Sequence, residues 1–127
     1  MKNLLITISR IFLGLYFLLA GVAKFLSWDM HISLMEVHNI EMSTVLLGIA
    51  GVAQVLAGIC LIFNKYVVVC ALGLAMMVLI INLNLHDFWN IYEGVDVKHE
   101  TQNFIKNLGL IIAFLLLAAS NMKDSRD

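Results

Sequence analysis

Two short polar islands interrupt otherwise apolar sequence: His86-Asp87-Phe88-Trp89, where one hydrophobic run ends, and Lys106-Asn107, near the start of the next. Ionisable groups at membrane depth are costly, so they mark candidate sites. His86 is the best candidate for acid–base work, because an imidazole exchanges protons near neutral pH. Lys106 can stabilise a negatively charged headgroup or a bound anion, Asn107 and Gln102 can donate hydrogen bonds, and Phe88 or Trp89 can stack on a ring. A quinone headgroup calls for such a set: an apolar slot reachable from lipid, an aromatic wall, donors for two carbonyl oxygens and a group that exchanges protons. A plainer account uses the same residues. Trp28, Trp89 and Tyr92 match an interfacial aromatic belt, Lys24 and Lys106 can snorkel, and His86 can simply end a helix.

The elements that must position these residues follow from composition. The chain has 127 residues, 61% of them hydrophobic and 13% charged, with no proline. A soluble domain carries about 25% charged residues. The sequence therefore predicts an all-α integral membrane protein, a four-helix bundle with antiparallel neighbours forming a single domain over residues 1–127. The spans fall at about 4–26, 42–63, 66–85 and 102–120, and each run suffices to cross about 30 Å of hydrocarbon at 1.5 Å per residue. The third helix has room to continue past the interface to about Tyr92, and the fourth reaches spanning length only with Lys106 inside it. The runs are continuously apolar rather than alternating, which excludes barrel strands. A cleavable signal peptide competes for the first span, since Lys2 supplies a positive start and Leu19-Ala20-Gly21-Val22-Ala23 is rich in small residues. Arg10 interrupts that apolar region, and cleavage would leave an odd three-span remainder. The segment is therefore expected to stay as a helix.

Counting basic residues orients the bundle. Lys2, Arg10, Lys65, Lys123 and Arg126 fall on one side, against Lys24, Lys98 and Lys106 on the other. Both termini are expected to be cytoplasmic, with residues 124–127 as a short solvated tail. His31, His38, His86 and His99 then all lie on the outer side, with most of the acidic residues.

Inner faces can be read from spacing. Arg10, Gly14, Phe17, Gly21 and Lys24 make one stripe on the first helix, and Gly51, Gln54 and Gly58 one on the second. Small-residue stripes let backbones approach closely, so these two helices should pack together. Depth matching puts Gln54 level with Gly14, about one turn from Arg10. Arg10 and Gln54 are expected as structural polar residues, Arg10 as a positive-inside anchor or as Gln54's partner. On the other pair, Asn82 falls level with Asn107 and His86 with Asn103. Asn82, His86, Trp89 and Glu93 share one helical face. The expected ligand-binding layer is Lys24, Asn82, His86, Trp89, Gln102, Lys106 and Asn107.

These motifs carry a resemblance. Arg10-x-x-x-Gly14, Ala20-Gly21-x-x-Lys24-Phe25, the Gly58 region, His86-x-Phe88-Trp89 and Gln102-x-Phe104-x-Lys106-Asn107-x-Gly109-Leu110 together resemble the DoxX family of small four-helix bacterial membrane proteins. The resemblance implies a multi-pass protein of the bacterial inner membrane, with redox physiology linked to quinones or thiols. It departs from the family pattern at Gln54, where a glutamate is common, and at Lys65, where an arginine is common. The first difference removes a proton carrier from mid-membrane depth.

Other chemistries are weaker. The four histidines match no metal-ligand spacing, so no metal is expected. Cys60 and Cys70 sit nearly symmetrically about the Asn64-Lys65 turn, but helix axes 8 to 10 Å apart seldom allow a disulfide. No haem, flavin or nucleotide motif appears, so no covalently bound cofactor is expected and an enzymatic role would be as an oxidoreductase subunit. The near-neutral chain offers no basic patch for nucleic acid. Two functions stay open. One is a membrane component of a quinone- or thiol-linked redox system whose outer polar layer takes a quinone headgroup or small anion. The other is a non-catalytic accessory protein that docks a larger complex. Expected partners are the lipid bilayer, with redox-complex subunits or a homo-oligomer as further possibilities.

Overall fold

A computed structural model of the protein describes residues 1–122. Five helices follow in order: α1 (Lys2–Leu26), α2 (Trp28–Val37), α3 (Ser43–Ile62), α4 (Val67–Leu85) and α5 (Val97–Asn121). No strand occurs among the described residues. α1, α3, α4 and α5 are each long and apolar enough to cross a membrane. Lys123, Arg126 and the tail at 124–127 lie outside the described residues.

Three boundaries differ from expectation. α2 is a short fifth helix, where the sequence suggested only a loop. Its C-terminus closes with Asn39 in the left-handed region and Ile40 N donating to Met35 O at 3.0 Å, so a 10-residue helix of mixed polarity ends cleanly, too short to span. α4 does not continue to Tyr92. Its last bond runs from His86 N to Asn82 O, and the chain then turns, with Asn90 N donating to Asp87 O. Trp89 and Glu93 therefore leave the helical face that Asn82 occupies. α5 begins five residues before Gln102, because the Asp96 side chain caps it by accepting from Lys98 N at 3.0 Å.

The four long helices close a ring in the order α1, α3, α4, α5, and sequence-adjacent members of the ring run antiparallel. Backbone contact holds the α1–α3 seam together. A Cβ on Gly14 would lie 2.8 Å from the Gly58 carbonyl oxygen, and one on Gly21 would lie 2.9 Å from that of Gly51. This register places Gln54 beside Leu18 rather than Gly14, about two turns from the level of Arg10. Arg10 does not pair with Gln54. It is buried and donates to the carbonyls of Leu61 and of Ile62, the latter at 2.9 Å. Those carbonyls end α3, where Lys65 N also donates to Cys60 O and Asn64 is left-handed. The guanidinium thus satisfies acceptors that hydrocarbon cannot. Gln54 is buried with Oε1 unpaired.

The buried hydrophobic cluster reaches from the end of the bundle that carries the termini past mid-depth. Phe17, Leu61, Ala71, Leu74, Phe114 and Leu117 all meet there or near mid-depth, with Phe17 edge-on to Phe114 at 5.0 Å. At the opposite end, which bears α2 and the α4–α5 loop, the helices part around two cavities.

Candidate functional site

The first cavity is a slot of about 650 Å³ between α3 and α4, roofed by α2. Its walls are aliphatic and thioether, including Leu47, Met76, Met77 and Ile81. Lys24, His31, Asn84 and His86 supply the polar groups toward one end. Ile49, Met76 and Ile80, also in the lining, are more than half exposed, so the slot opens onto the apolar exterior of the bundle. Gly73 forms part of the wall, and a Cβ there would meet nothing within 4 Å. A volume and lining of this kind suit a small organic molecule.

The second cavity, about 480 Å³, lies between α1 and α5. Tyr16, Asn103, Lys106, Asn107 and Leu110 line it, together with His86. Of the residues bordering these two cavities, His86 alone borders both.

His86 is anchored from above. Its Nδ1 lies 3.1 Å from Oε2 of Glu100 in the first turn of α5. The same Glu100 oxygen lies 3.8 Å from Nε2 of His38, which lies 3.6 Å from Oδ1 of Asp87. Oδ2 of Asp87 accepts from Asn90 Nδ2 at 2.9 Å and from the Tyr92 hydroxyl at 2.5 Å. The Tyr92 ring packs on the His38 imidazole with centroids 4.5 Å apart. His38, Asp87 and Glu100 are all buried. Five titratable groups from α2, the α4–α5 loop and α5 therefore form one chain, His86–Glu100–His38–Asp87–Tyr92.

Two of these groups have displaced titrations. Burial works to raise the Asp87 carboxyl, but hydrogen bonds from Asn90 and Tyr92 and from its own backbone, with the nearby His38, outweigh it and hold the group below the ordinary carboxylate range. Tyr92 moves the other way. Its bond to Asp87, then desolvation and the carboxylate's charge, raise the phenol.

The expected ligand layer divides. Lys24 and His86 border the slot, whereas Lys106, Asn107 and His86 border the α1–α5 cavity. Asn82 is fully buried and committed to helix pairing: Nδ2 donates to Phe104 O, and Oδ1 accepts from Asn107 Nδ2, each at 3.0 Å. The level match of Asn82 with Asn107 is thus a direct bond. Trp89 borders neither cavity. It is half exposed and packs edge-on against Phe88 and Phe104, at 5.3 and 5.8 Å, pinning the loop to α5. Gln102 is exposed and also borders neither. Cys60 and Cys70 are free thiols near the termini end.

The sequence singled out Asp87 within the island that starts at His86, but gave His38, Tyr92 and Glu100 no place in the site. His38 looked like a solvated loop residue and Tyr92 like a belt aromatic, yet His38 is buried and the half-buried Tyr92 ring packs on it. A signal was present for two of them. His38 lies three residues after the buried Met35, and Glu100 begins the stripe continued by Asn103, Asn107 and Phe114. Reading that stripe required starting α5 before Gln102.

Four spanning helices around two cavities at one end define a helical-bundle membrane protein with a lipid-side slot. The DoxX family model matches residues 5–87, and the chain belongs to the DoxX family, a group associated with redox-linked membrane function. The match ends at Asp87, so the α5 motif with Lys106 and Asn107 lies beyond it. No curated protein and no solved structure matches the chain.

Proposed function

We propose that the protein is the membrane component of a quinone-linked redox system, set in a bacterial inner membrane with both termini cytoplasmic, and that the α3–α4 slot receives a quinone headgroup. The observation that carries this reading is the position of His86, which stands at the polar end of a lipid-side slot and is bonded to a buried carboxylate chain. The residues present fit such a ligand. The open wall at Gly73, about 16 Å along α4 from Asn84, leaves room for the apolar tail rather than the ring. Lys24 and Asn84 supply donors for carbonyl oxygens, and the exposed mouth at Ile49, Met76 and Ile80 lets an apolar tail leave into lipid. A bound quinone would supply reversible two-electron, two-proton chemistry. The chain's own part is to orient the headgroup, exclude water from the aliphatic walls and hold a proton at His86.

Saturable binding of a short-tailed ubiquinone analogue to the detergent-purified chain tests this. Wild type should bind, Ile81→Trp should abolish binding by filling the slot one turn from Asn84, and the melting temperature of that variant should stay close to wild type. Absence of saturable binding to the well-folded wild type overturns the slot assignment. Co-purification of a larger complex under those conditions would favour the accessory role.

A further inference from the structure

We propose that His38, Asp87 and Glu100 hold one shared proton beneath α2 and relay it between the loop surface at Tyr92 and His86. Hydrogen-bond accounting requires the proton. The Leu34 carbonyl can only accept, and it lies 2.9 Å from His38 Nδ1, so that nitrogen carries a hydrogen. In the neutral imidazole, Nε2 would then be a bare acceptor. It faces Asp87 Oδ1 at 3.6 Å and Glu100 Oε2 at 3.8 Å, both acceptors when ionised. Neither His38 Nε2 nor Asp87 Oδ1 has any hydrogen-bond partner, although both atoms are buried. Three electron-rich atoms turned toward one another in a buried site repel, and a single proton converts the repulsion into a charge-assisted contact.

The route to the slot follows from one oxygen. Glu100 Oε2 faces both His38 Nε2 and, at 3.1 Å, His86 Nδ1, so a proton leaving one imidazole can reach the other through a single carboxylate. At the surface side, Tyr92 donates to Asp87 Oδ2 and packs on the His38 ring, while Asn90 fixes the same carboxylate. The groups facing His38 are thus Asp87 and Tyr92 from the α4–α5 loop and Glu100 from α5, with His86 behind Glu100. This relay gives the proposed quinone site a proton path separate from its lipid mouth and rests on that reading for its purpose, although the shared proton exists without any ligand.

The test uses the full chain in lipid nanodiscs, with 15N-labelled histidine and infrared detection of carboxylic acid. At neutral pH the relay requires either an imidazolium 15N pair at His38 or a protonated-carboxyl band that disappears in Asp87→Asn or Glu100→Gln. Because two imidazoles share Glu100, the His38 and His86 signals should titrate in two coupled steps in wild type, and His86 should revert to a single step in Glu100→Gln. A neutral His38 with both carboxylates ionised at neutral pH overturns the proposal. So do single-step curves at both histidines in wild type, a result that needs no variant to fold. Adding a short-tailed ubiquinone analogue separates the two ideas. A shift of His86 supports the slot, and its absence alongside coupled titration would sink the slot while leaving the relay standing.

Discussion

Asn107 donates from Nδ2 to Oδ1 of Asn82 at 3.0 Å, and Asn82 donates in turn to the Phe104 carbonyl at the same distance, so one fully buried amide ties α4 to two successive turns of α5. Helices in lipid lack a hydrophobic force between them, and such bonds contribute about 1 kcal/mol each. Asn82→Leu should lower unfolding stability by about 1–2 kcal/mol in a denaturing-detergent titration. An unchanged midpoint would show that the amide does not hold the seam.

The glycines divide into two groups by what surrounds them. A Cβ on Gly58 would lie 2.7 Å from the Gly14 carbonyl oxygen and 2.8 Å from Leu18 N, both backbone atoms that cannot swing aside. Gly58→Ala should therefore force α1 and α3 apart and cost about 1–3 kcal/mol. Gly109→Ala, which meets nothing within 4 Å, should be neutral or slightly stabilising in the same assay. Equal effects at the two positions would contradict the seam.

Arg10 acts on α3 rather than on the membrane surface. Arg10→Ala leaves the Ile62 carbonyl without a donor and the Leu61 carbonyl with only Asn64 N at 3.3 Å, and should cost about 2 kcal/mol. Arg10→Lys should recover only part of it, because both bonds leave Nη1 at the tip of the guanidinium and the ammonium ends a shorter stem. Full recovery by lysine would instead favour a simple charge anchor.

Stability should fall at both pH extremes through one bond. The Asp87 carboxyl is depressed in the folded state, so its contribution is present above the unfolded value of about 3.9 and is lost as pH falls through the lower folded value. The Tyr92 phenol is raised, so its contribution is present below about 10 and is lost as pH climbs through the higher folded value. Tyr92→Phe should weaken both limbs of a melting-temperature profile, and Asp87→Asn should flatten the acid limb. A Tyr92→Phe profile identical to wild type would exclude the coupling.

Because the two cavities share only His86 among the residues lining them, their cations should be separable. Lys24→Met should weaken binding of a short-tailed ubiquinone analogue about tenfold, equivalent to about 1.4 kcal/mol. Lys106→Met, on the far side of His86, should leave that affinity within about twofold of wild type. The opposite ranking in a fluorescence titration would move the headgroup into the α1–α5 cavity.

The four spans were legible from hydropathy, because bilayer thickness imposes a length that apolar runs reveal directly. The α4–α5 register was legible too, since Asn82 and Asn107 are isolated polar groups in apolar stretches and gain most by meeting. The α1–α3 pairing was legible from its glycines, but its register was not. A row of small residues allows slippage by a turn, and only the close backbone contacts at Gly14 with Gly58 and Gly21 with Gly51 select the one that sends Arg10 to the end of α3 and Gln54 to the level of Leu18.

By itself, then, the sequence determined a membrane bundle and its antiparallel neighbours and marked His86 as a candidate, because composition and periodicity act locally along each helix. Tertiary structure decided what surrounds His86. The roof formed by α2 and the fold of the α4–α5 loop depend on short segments whose local preferences are weak. The meeting of His38, Asp87 and Glu100 brings together residues far apart in the chain, each ordinary in its own neighbourhood. Their shared burial, and the hydrogen-bond deficit it creates, exists only once α2, the loop and α5 are packed against one another.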